Sequence, residues 1–124
     1  MPIVTEGRHV GEFLLSEANG SRSRDNITLV AGSGTLPAVR VLGLITASKK
    51  YAPHDPAAVD GSETARAVLL AGVTVPAAAD LPAVAFTRDC EVKAVALTYA
   101  AATDTAPEKA AVAAALAAVG IVCR

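Results

Sequence analysis

The stretch Thr105–Arg124, TAPEKAAVAAALAAVGIVCR, decides the fold class. Thr105-Ala-Pro-Glu108 has the form of a capping box with proline in the first turn, so a helix begins there. Val112, Leu116 and Val119 recur at helical spacing from Lys109 onward and mark its core-facing stripe. Gly120 then supplies a stop, and Ile121-Val122-Cys123 is a short apolar segment suited to docking as a last strand.

Everything before that helix reads as strands and turns. Ile27–Val30 alternates like a strand, and the loop Gly32-Ser-Gly34 ends it. Val39–Thr46 is rich in β-branched and aliphatic residues. The polar turn Ala47-Ser-Lys-Lys50 follows it and leads to Tyr51, predicting a hairpin. Pro53 and Pro56 break the pattern, and Thr64–Val75 reads as one further β run. Val84–Thr87, the reversal Arg88-Asp-Cys-Glu91 and a returning strand Val92–Tyr99 complete about five strands on these signals. Strands with a single late helix make an α+β, mainly β domain with one C-terminal helix.

Residues 1–26 behave differently. They mix Gly, Ser, Glu, Arg and Asn around one apolar knot, Phe13-Leu14-Leu15. Too little apolar surface is available there to form a core, so the expectation is an extended arm over 1–26 and a β-rich domain over 27–124. Phe13 is one of four aromatic residues, two Phe and two Tyr, and this reading places it outside the core.

Composition narrows the function. With 124 residues the chain fits one domain. Apolar residues make up 52% but aromatic ones only 3%, so the core is built mainly of alanine and valine. Small side chains bury little area each, which favours oligomerisation. The net charge is −1, with eleven basic and twelve acidic side chains well mixed, so no patch invites nucleic acid. Ala110–Val119 is the longest apolar stretch, about half of what a bilayer crossing requires, and no signal peptide is read at the start. The expectation is a protein assembled in the cytoplasm with no membrane partner. Cys90 and Cys123 sit in no ligand spacing, and free thiols are expected.

A search for chemistry assigns no catalytic residue. His54-Asp55 suggests a dyad, yet neither an activated nucleophile nor oxyanion donors accompany it, and Asp beside Pro is ordinary turn chemistry. His54, Asp55 and Asp60 form no metal-ligand spacing, and Asp89 with Glu91 flanks a turn as solvated charge. Gly32-Ser-Gly34 lacks the spacing of a phosphate cradle. No cofactor and no metal are expected. The rival class, a small-molecule-binding β-barrel module or enzyme subunit, requires a pocket with convergent polar groups, where this chain offers alanine and valine.

Four strings, EFLLSEANGSRSRDNITL (Glu12–Leu29), VLGLITASKKYAPHDPAAVDGSETARAVLL (Val41–Leu70), VAFTRDCEVKAVALTY (Val84–Tyr99) and APEKAAVAAALAAVGIV (Ala106–Val122), carry a resemblance covering nearly the whole chain. In this order of features the chain resembles the lambda-like phage head decoration family. The resemblance implies a non-enzymatic homotrimer on the outer capsid surface. It would sit at local three-fold sites and cement neighbouring subunits of the major capsid protein. It also implies that the amino-terminal arm faces the capsid, with Glu12, Phe13, Leu14 and Leu15 as candidate contacts; the arm's polar, Gly/Ser-containing composition suggests strand addition to a coat-protein sheet edge as the mode. Tyr99 stands near a position where some relatives carry Trp.

Overall fold

The computed structural model describes residues 13–124 with the exception of Ser21. Among the described residues ten strands and one α-helix follow one another: β1 Leu14–Glu17, β2 Arg24–Leu29, β3 Gly34–Leu36, β4 Val41–Leu44, β5 Tyr51–Pro53, β6 Ala65–Leu69, β7 Val73–Val75, β8 Leu81–Phe86, β9 Cys90–Val92, α1 Ala106–Ala118 and β10 Ile121–Cys123.

Five of the strands close a small barrel in the order β2-β5-β4-β6-β8. The long antiparallel pairing of β2 with β8, from Arg24↔Phe86 to Leu29↔Leu81, seals it. The predicted hairpin is β4–β5, with Leu44 opposite Tyr51. A barrel this narrow has room only for a few modest side chains, and its interior cluster is Ile27, Leu29, Leu42, Ala67, Leu69 and Ala85. The ribbon β3–β7 adds Leu36 and Val75 to that cluster. The alanine-rich composition is thus matched to the barrel's width.

A second core lies outside the barrel wall. Val41 on β4, Ala65 and Val68 on β6 and Phe86 on β8 meet Val112 and Leu116 of α1, Phe13 just before β1, and Val92 and Ile121 from a three-stranded sheet ordered β1-β9-β10. Strands with a core on each face lose polar alternation. Val41 faces one core and Leu42 the other, both fully buried, which explains the continuous apolar runs of β4 and β6.

The helix and the last strand form as predicted. Gly120 adopts a φ of 87°, turning the chain so that Ile121–Cys123 pairs in parallel with β9. The capping box does not close, however. Thr105 makes no side-chain cap bond, and Glu108 Oε2 instead accepts from Asp104 N at 3.0 Å.

Three expectations are corrected. The single run Thr64–Val75 is two strands, β6 and β7, separated at Leu70–Gly72, and they belong to different sheets. Val92–Tyr99 is no returning strand: β9 ends at Val92 and a 3₁₀ turn occupies Ala94–Ala96. Residues 13–20 and 22–26 belong to the folded body, because β1 pairs with β9 and Arg24–Asn26 stand in the barrel wall. The rest of the expected arm, through Glu12, lies outside the described residues.

Candidate functional site

The surface to which the expected contact residues lead is the three-stranded sheet. Glu12 lies outside the described residues, and the next three side chains take different positions. Phe13 is fully buried, its ring edge-on to Phe86 with centroids 5.6 Å apart and planes at 81°. That overturns its expected place outside the core. Its carbonyl accepts from Lys93 N at 2.8 Å, so backbone and ring are both fixed to the body. Leu14 packs half-buried against the same core. Leu15 alone of the three points outward, at 46% exposure, and sits where the register between β1 and β9 slips. Val122 on β10 is also exposed on this sheet.

Polar residues that suggest a free arm in the sequence are consumed locally. The Arg24 guanidinium binds both Glu17 oxygens, at 3.0 and 2.8 Å, and lies over the Phe86 ring. It holds the Glu17 carboxyl below its ordinary pKa. Arg88 binds Asp25 and also donates to Arg22 O, while Thr87 Oγ1 donates to Asp25 at 2.9 Å. Arg88 lowers the Asp25 pKa in the same way. Ser23 is fully buried, donating to Asp89 O and accepting from Ala18 N. Side-chain bonds of this kind let a polar segment pack without an apolar majority.

Within the sheet β1 is an edge strand, paired on one side only among the described residues. An edge strand presents a row of backbone N–H and C=O groups to any extended partner. Arg124 pairs with Glu91 across the outer face, and Arg22 lies 3.3 Å from Asp89. Asp89 and Glu91 are therefore surface charges each paired with an arginine, and Glu91 lies within β9, so the reversal is shorter than the expected Arg88–Glu91.

The chain matches the family model of bacteriophage lambda head decoration protein D over residues 3–121. The chain belongs to that family. Head decoration proteins are structural components of the phage head, and this places the present member in the virion capsid. No curated protein sequence matches the chain.

The other residues weighed for chemistry in this decoration protein do not converge. Asp55 Oδ1 accepts from Ala57 N at 3.0 Å, a turn bond, and Asp60 Oδ1 binds the backbone and hydroxyl of Ser62. Among the described residues no three His, Cys, Asp or Glu side chains are grouped to hold a metal ion, and no helix is long and apolar enough to cross a membrane. Cys90 and Cys123 are free thiols. Burial pushes the Cys90 thiol up to about 11, far from a reactive thiolate.

The residues that sequence reading missed are His54 and Thr103. His54 reads as a loop histidine beside a turn aspartate, yet it is 4% exposed, with Nε2 at 3.0 Å from Glu63 O. Thr103, 3% exposed, sits in the alanine-rich approach to α1. Both line one cavity, and their burial depends on contacts from distant segments that no local pattern encodes.

Proposed function

We propose that this decoration protein binds the outer surface of the mature phage head as a homotrimer at local three-fold sites. There it cements neighbouring subunits of the major capsid protein, without catalysis and without a cofactor, nucleic-acid or membrane partner. The family match over residues 3–121 carries this reading. In it the protein assembles in the host cytoplasm and acts by many weak, repeated contacts. A closed cyclic trimer suits a three-fold site.

The capsid-facing element in this reading is the amino-terminal segment through Glu12, continued by the outward Leu15 and the open edge of β1. Strand addition at such an edge supplies backbone hydrogen bonds without requiring particular side chains. Phe13 and Leu14 serve as the anchor that joins this element to the body, where their burial puts them. The test is a chain beginning at Phe13. It is expected to fold and to trimerise like the full chain but to leave mature capsids bare in electron micrographs, where the full chain forms knobs at three-fold positions. Decoration by the shortened chain at full occupancy contradicts the assignment of the segment.

A further inference from the structure

The connection between β5 and β6, residues 55–64, is held by polar bonds rather than by apolar packing. Ser62 is its one buried side chain, and Val59 at its tip is 96% exposed. Bonds within the loop keep it compact: Ala58 N donates to Asp55 O, and Asp60 Oδ1 accepts from Ser62 N and Oγ at 3.1 and 2.6 Å. Thr46 N ties the loop to the end of β4 by donating to Asp60 O at 3.0 Å, and Asp55 N closes its base on Ser62 O at 3.3 Å. Segments with so little buried apolar surface open locally long before a core does.

His54 fixes that base to the body. Its backbone N donates to Val41 O at 3.0 Å, its carbonyl accepts from Arg40 Nη2 at 3.1 Å, and its ring Nε2 stands 3.0 Å from Glu63 O. A carbonyl only accepts, so Nε2 carries the hydrogen and the neutral ring keeps a lone pair on Nδ1. That atom is shut off from solvent and has no hydrogen-bond partner among the described residues.

A second proton would make Nδ1 a buried donor without an acceptor. The charged groups around the ring come from four segments. Arg40, ahead of β4, is a cation whose own Nη1 is buried without a partner, so it opposes a charged imidazole. Three carboxylates could offset that charge, but each is engaged elsewhere by a backbone N–H: Asp55 by Ala57, Glu63 by Gly61, and Glu108 of α1 by Asp104. A buried charge left in this state is expensive, and the ring relieves it by leaving Glu63 O for water. Burial, the largest influence, and Arg40 hold the His54 pKa below its ordinary value against the Glu63 carbonyl and Asp55.

We propose that His54 is an acid-operated latch, whose second proton releases the loop of residues 55–64 while the barrel and both cores stay folded. The open state takes the proton first, so falling pH favours opening, by up to about ten-fold per pH unit below the ordinary histidine range. The latch stands apart from the capsid reading, because it is tested on the protein alone. Amide hydrogen exchange of the isotope-labelled full chain is followed from pH 7 to pH 5, alongside the ring nitrogens of His54. Asp60, held charged by its bonds to Ser62, keeps its part of the loop intact across this window. The expected result is that protection at Thr46 and Asp55 falls at least ten-fold as the ring charges. Leu70, bonded to Val84 O, and Cys90, bonded to Gly120 O, should keep theirs. His54→Gln retains an N–H for Glu63 O and does not titrate, so its loop protection should be level with pH. The wild-type comparison decides by itself if that variant fails to fold. Level protection at Thr46 and Asp55 in the wild type, its loss together with Leu70 and Cys90, or the same loss in His54→Gln overturns the proposal.

Discussion

Phe13 is the residue at which the two readings of the amino terminus diverge most sharply. As part of a free arm its ring would contribute nothing to stability. Buried against Phe86, it is a core residue. Phe13→Ala should therefore lower the unfolding free energy by about 3–5 kcal/mol, read by denaturant titration. A loss below about 0.5 kcal/mol, typical of a surface site, would return Phe13 to the arm. Gly43 is a second such residue. A Cβ there would stand 2.4 Å from Ser62 O, at the point where β4 and β6 slip register around Arg66. The contact is backbone, which cannot swing aside. Gly43→Ala should cost about 1–3 kcal/mol, and a neutral effect would show that the loop before β6 gives way freely.

Titration at these buried residues sets the stability profile at both ends of the pH range. Cys90 keeps its proton in the fold to about 11, against an ordinary value of 9.0. Above that ordinary value the unfolded chain releases a proton that the folded chain retains, so stability should fall from about pH 9 to pH 11. Cys90→Ser should flatten part of that decline. His54 works in the opposite direction. Its folded pKa is depressed by burial below 6.5, so its contribution is present above that value and is lost as acid protonates the unfolded chain first. Thermal melts from pH 5 to pH 11 check both, and a curve that is level across either window contradicts the corresponding burial.

At the scale of elements, the parts legible in the sequence are those whose cause is local. The helix, its glycine stop and the β4–β5 hairpin rest on contacts a few residues apart, and the final strand, though it pairs with the distant β9, is marked as a short apolar segment directly behind the glycine. The amino-terminal boundary rests on distant contacts. β1 exists because Leu14 and Glu17 pair with Val92 and Cys90, and Ser23 is buried because Asp89 O receives its hydroxyl. Neither partner is visible in a window around residue 20. β6 and β7 merged in the reading for a related reason: their apolar run is continuous, and only the sheet assignment separates them. The cavity of His54 and Thr103 was not legible at all, since it is lined from segments far apart in the chain. Removing residues 1–26 would delete β1 and half of β2, opening the barrel seam with β8. That truncation should abolish cooperative melting, whereas removal of residues 1–12 should leave the melting temperature within a few degrees of the full chain.

The whole molecule is a narrow barrel whose wall serves two cores, one filled with small side chains and one shared with a helix and a three-stranded sheet. Such a body holds the edge strand β1 at a fixed place on its surface. As a homotrimer the protein should scatter light as a species of about three times the 12.5 kDa chain mass. A monodisperse monomer at micromolar concentration counts against the free trimer. The central claim, that this chain is a structural ligand of the mature head, is tested most directly by cosedimentation of the purified protein with mature and immature capsids of its phage. Saturable pelleting with mature capsids and none with immature ones is the predicted result; protein that stays in the supernatant with both contradicts it.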